Sequence, residues 1–111
     1  GGPSAGLAFA LALLDELTSG NLMGASHVVA TGTISEDGSV GAIGALEQKA
    51  VAAKASGADL FLVPAGQSAN EMKRARNAAG SGVKIVQVAT LEEALAVLRA
   101  NGGNALSATT A

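Results

Sequence analysis

The chain has 111 residues, of which 49% are hydrophobic and 14% charged, with 15 glycines, two phenylalanines, no Cys, Trp or Tyr, and a net charge of −2. That length holds one small domain, and the apolar content is too high for intrinsic disorder. The absence of a basic run argues against a nucleic-acid binder, zero cysteines exclude disulfides and thiol chemistry, and a single histidine, His27, excludes a His-rich metal site.

The first predicted element is a helix from Ala5 to Leu17, with Ser4 as its N-cap and Gly20 as its stop. It is apolar nearly all round through Leu14, which implies burial on most sides. Its uncharged run, Ala5 to Leu14, is the longest in the chain and is well short of the ~18–20 residues a spanning helix needs. No basic residue precedes it, so it does not read as a signal peptide, and this segment is expected to make no membrane contact.

His27 to Ile34 reads as a strand by its β-branched content, Ser35-Glu36-Asp37-Gly38 as a hairpin turn, and Ser39 to Ala42 as a short return strand. A second helix is predicted over Leu46–Ser56 with Gly57 as its stop. Then the chain alternates: strand Asp59–Val63, helix Ser68–Ala79, strand Val83–Val88, helix Leu91–Ala100. Thr90 and Glu93 have the capping-box spacing at the last helix. The continuous apolar strands suit parallel pairing covered on both faces, with right-handed crossovers. The fold class is therefore α/β, a mixed sheet with a β-hairpin insert and a βαβα C-terminal half. The domain is expected to span residues 1–101, with 102–111 a flexible tail. Because much of the apolar content is alanine, the core should be thin and close-packed.

Gly2-Pro3-Ser4-Ala5-Gly6 matches G-x-S-x-G, the pattern of a nucleophile elbow. An α/β-hydrolase triad also needs an acid and then a histidine downstream, but His27 precedes every carboxylate except Asp15 and Glu16. A Ser-His-Asp hydrolase is excluded, which leaves lysine as a base. Of the downstream lysines, Lys49, Lys54, Lys73 and Lys84, helix geometry places Lys49 on the stripe of Leu46, Ala50 and Ala53. Lys54 falls to one side of it. A free lysine, pKa about 10.4, is protonated near neutral pH, whereas an apolar pocket favours the neutral amine that could deprotonate a serine. The bland readings are a serine cap and a lysine snorkelling at the stripe's edge.

Three motifs stand in register: Gly2-Pro3-Ser4-Ala5-Gly6, Ala30-Thr31-Gly32-Thr33-Ile34, and Gly38-Ser39-Val40-Gly41-Ala42-Ile43-Gly44-Ala45-Leu46-Glu47-Gln48-Lys49. Together with Phe61-Leu62-Val63-Pro64 they resemble the Lon protease catalytic domain, over nearly the whole chain. The resemblance implies a serine endopeptidase with Ser4 as nucleophile, Lys49 as general base and Thr31 helping to position the lysine. Backbone N–H groups at Gly2 and Ala5 would serve the oxyanion. It also implies further strands before the serine motif, protein or peptide substrates, a homo-oligomeric, hexameric ring, and no metal or other cofactor. Ala45 stands where the family usually has Gly, a change that fits without strain if φ there is negative.

Within the family the chain looks most like the membrane-anchored bacterial Lon-like proteases that carry a PDZ domain. That would place the domain outside the cytoplasm; energy-dependent relatives would place it inside. No G-x-x-x-x-G-K-[ST] occurs, so this chain has no P-loop of its own for ATP. The rival from another class is a catalytically idle Lon-like domain serving assembly or substrate holding. A nucleotide-binding reading of Gly38 to Gly44 fails because the spacing G-x-x-G-x-x-G lacks the tight G-x-G turn.

Overall fold

The computed structural model describes residues 2–17, 22–24 and 26–102. The expected helix stop at Gly20 and the tail from residue 103 on lie outside the described residues. A 3-10 turn, Gly2–Ala5, runs directly into α1, Gly6–Leu17. There follow β1 (Val28–Ala30), β2 (Thr33–Ile34), β3 (Val40–Gly41) and α2 (Leu46–Ala55), then β4 (Leu60–Pro64), α3 (Ala69–Ala79), β5 (Lys84–Val88) and α4 (Leu91–Ala100).

β4 is buried at every position and lies between β1 and β5, parallel to both. Its side chains alternate between two cores, as a strand's period of two requires. Phe61 and Val63 face α2 and α3, where Leu46, Ala50, Ala53, Met72, Ala75 and Ala79 close the layer. Leu60 and Leu62 face the other way, against Leu7 and Leu11 of α1 and Ala94 and Leu98 of α4. Alanines supply four of these six helix residues.

The antiparallel part forms its own ladder, β2 on β3, with Ile34 opposite Val40. Its turn is closed by Gly38 N–H to Ser35 O (2.9 Å), with Gly38 at φ 87°. Asp37 Oδ1 accepts from the Ser39 hydroxyl (2.6 Å) and amide (2.9 Å), and these bonds hold the Asp37 carboxyl below its usual range. The hairpin is tied to the far end of the sheet by Val40 N–H to Ala89 O and Leu91 N–H to Gly38 O, both 2.8 Å.

Two expectations are corrected. The stretch His27 to Ile34 is not one strand: the chain leaves the parallel sheet after Thr31, whose N–H reaches Leu62 O at 3.0 Å. Gly32, at φ 143°, makes the break, since a Cβ there would stand 2.6 Å from Val40 Cγ1. Nor is α1 buried on most sides. Leu7 and Leu11 are fully buried, whereas Phe9, Leu13 and Leu17 are 71%, 50% and 73% exposed. Only one side of α1 meets the sheet, and no described element packs over the other. Among the described residues no helix is long and apolar enough to cross a membrane.

Candidate active site

Ser4 sits in the 3-10 turn rather than at an α-helical N-cap, because α1 begins only at Gly6. The turn is fastened to the segment between β1 and β2. Ser4 O accepts the Gly32 N–H at 2.9 Å, and the Leu7 N–H donates to Gly32 O at 2.9 Å. Gly6 allows this approach: a Cβ there would lie 2.9 Å from the Ile34 backbone nitrogen. The last glycine of the G-x-S-x-G pattern thus has a packing reason, which is to let the serine turn lie flat on β2.

Thr31 is 6% exposed, and its hydroxyl donates to Ser4 O at 3.5 Å, the outer limit of a hydrogen bond. Lys49 lies one turn into α2, half-buried, with its N–H on Ala45 O at 3.0 Å. Ser4, Thr31 and Lys49 line a single cavity of about 390 Å³, together with Ala5 and the apolar Val29 and Phe61. Gly2 and Ala5 are the first and last residues of the serine's turn.

Among the described residues, Lys49 pairs with no carboxylate and makes no side-chain hydrogen bond to Ser4 or Thr31. The salt bridge on its helix, Glu47 to Arg74 (3.8 Å), is exposed and faces elsewhere. His27 is exposed before the start of β1, while Ser4 is joined to the residues just beyond its end. A larger hollow of about 510 Å³, around Arg76, Ser81 and Lys84, contains none of the expected site residues.

The family model for the Lon protease (S16) C-terminal proteolytic domain matches residues 1–100. The chain belongs to this family. It is 33% identical over 94 residues to a Lon protease of Neorickettsia sennetsu, a match covering 85% of this chain. A Lon protease of Lachnoclostridium phytofermentans matches to the same extent. In each case the chain spans 11% of the relative's length.

Two features of this Lon-family site were not anticipated. Ala45, the N-cap of α2, has φ 57° and ψ 39°, so the condition for an unstrained alanine, a negative φ, is not met. The connector from β3 must swing into α2 here, and it does so through a left-handed residue although the position carries a Cβ. Gln67, in the loop after β4, is a polar side chain only 6% exposed. Its Oε1 accepts the Ile43 N–H at 2.7 Å and its Nε2 donates to Ile43 O at 3.1 Å. The one sequence signal was its place, next to the capping box that Ser68 and Glu71 form at α3.

Proposed function

We propose that the intact protein is a serine endopeptidase acting through Ser4 and Lys49. The observation that carries this reading is the shared cavity: in a Lon-family chain, three segments remote in sequence contribute a serine, a threonine and a lysine to one largely apolar hollow. In the mechanism, Lys49 acts as the base and takes the hydroxyl proton as Ser4 Oγ attacks the scissile carbonyl carbon. Backbone N–H groups of the turn, at Gly2 and Ala5, receive the oxyanion. Collapse breaks the C–N bond, and the Lys49 ammonium returns the proton to the departing amine. A water molecule, deprotonated by Lys49, then attacks the Ser4 ester; the bond from the acyl carbon to Ser4 Oγ breaks, Lys49 returns the proton to Oγ, and the acid product is freed. Thr31 steadies the serine's turn from below through its contact with Ser4 O.

Protein or peptide substrates and a homo-oligomeric, hexameric ring are part of this proposal, drawn from the family. So is a domain limit near residue 101, supported by the end of α4 at Ala100 and of the family match at 100. The test is peptide cleavage by Ser4→Ala and Lys49→Arg variants of the intact protein. Both should be nearly inactive, the second because arginine stays charged and cannot accept the proton. Turnover like wild type in either would remove that residue from the dyad, whereas no cleavage by the unmutated protein would leave the idle-scaffold reading.

A further inference from the structure

Gln67 is a buried amide that the chemistry above does not use. Burying such a group is costly unless its polar atoms are paired. Here both ends are engaged with one residue: Ile43 N–H on Oε1 and Ile43 O on Nε2. Only this orientation of the amide satisfies both backbone groups, so its two ends cannot be exchanged. The pair of bonds copies the pairing of a neighbouring strand at a place where the chain has left any ladder. Nε2 also donates to Glu71 Oε2 at 3.2 Å. Glu71 is itself fixed, since its Oε1 accepts the Ser68 N–H (2.9 Å) and its own N–H bonds Ser68 Oγ (3.1 Å). The grip on Ile43 therefore comes from a rigid helix start.

What Ile43 leads to gives the grip its meaning. Its side chain packs on the core between α2 and α3, and two residues later the chain turns through the left-handed Ala45. An alanine keeps that conformation only where its surroundings over-determine it. Ala45 O then receives the Lys49 N–H, so the turn at Ala45 sets the starting point of the helix that carries the lysine to the cavity.

We propose that Gln67 is a positioning residue for Lys49: by holding the Ile43 backbone it maintains the Ala45 turn, and with it the placement of the lysine in the cavity it shares with Ser4. This rests on the Ser4–Lys49 reading above. The experiment uses the intact protein with Gln67→Met, which keeps the side chain's length without its amide, and with Gln67→Glu, which keeps the acceptor but loses the donor. Two quantities are read: hydrogen exchange of the Ile43 amide, and steady-state cleavage of a peptide well below the melting temperature.

In the wild type the Ile43 amide should exchange about 100-fold or more slowly than an open amide, and Gln67→Met should remove most of that protection. In the same variant kcat should fall about 10-fold or more with KM held within about twofold, as expected for a displaced base rather than a lost binding contact. Gln67→Glu should lower kcat at least as far, because its carboxylate cannot donate to Ile43 O and would stand against the Glu71 carboxylate. Free exchange at Ile43 in the wild type overturns the grip, and lost protection with unchanged kcat overturns the positioning role. If Gln67→Met does not fold, wild-type exchange and the Gln67→Glu kinetics decide in the same way. Cleavage that survives Ser4→Ala while Ile43 stays protected would instead sink the dyad reading, so the two failures are distinct.

Discussion

Replacing Ala45 by Gly should make the protein more stable, although glycine is ordinarily the more costly residue to order. Ala45 is held at φ 57° and ψ 39°, where the Cβ of an L-residue crowds the backbone at a cost of about 1–2 kcal/mol. Glycine has no such penalty but gives the unfolded chain more freedom, worth about 0.4–1 kcal/mol against folding. Two further terms are small. The methyl group is exposed, so little burial is lost, and at an N-cap glycine is preferred to alanine. The net is a stabilisation of about 0.5–1 kcal/mol, or a rise of roughly 2–8 °C in Tm for a domain of this size. Urea denaturation is the assay, and the midpoint should move up with the m-value unchanged. Ala45→Val should move it down, since a β-branched residue tolerates that region least. A midpoint lowered by Ala45→Gly would refute the reasoning, because it would mean that Ala45 is not left-handed in the folded protein.

Gly6→Ala should destabilise by about 1–3 kcal/mol and lower kcat, because the new methyl meets the Ile34 backbone, which cannot swing aside; unchanged stability would show that the serine turn does not lie on β2. Thr31→Val should lower kcat roughly 10-fold at nearly unchanged stability, because Ser4 O keeps its bond from Gly32 N–H; equal kcat would remove Thr31 from the site. The backbone and hydroxyl bonds from Ser68 hold the Glu71 carboxyl below its ordinary 4.5. Its contribution to stability should therefore be complete above pH 4.5 and disappear as pH falls through the lower folded-state value; Glu71→Gln should flatten this part of the acid unfolding curve, and an unaltered curve would exclude the linkage.

Periodicity and composition determined the order of the elements because they report local burial. The run Leu60-Phe61-Leu62-Val63 has no polar face to leave in solvent, so it is the central strand, and the alanine stripe of α2 predicts which side meets the sheet. The motif spacing likewise made Ser4, Thr31 and Lys49 candidates before any geometry was known. What the tertiary structure decided are matters of close approach between segments distant in the chain. Gly32 ends the strand run because Val40 leaves no room for a side chain, and Gly6 is needed because Ile34 lies beneath it. Gln67 is buried because its partner, Ile43, is delivered by another loop. The apolar stripe of Phe9, Leu13 and Leu17 resembles a core face in sequence, yet no described element lies over it. Hydrophobic pattern records what a residue tolerates, whereas a steric fit or a paired amide depends on a neighbour that only folding brings into contact.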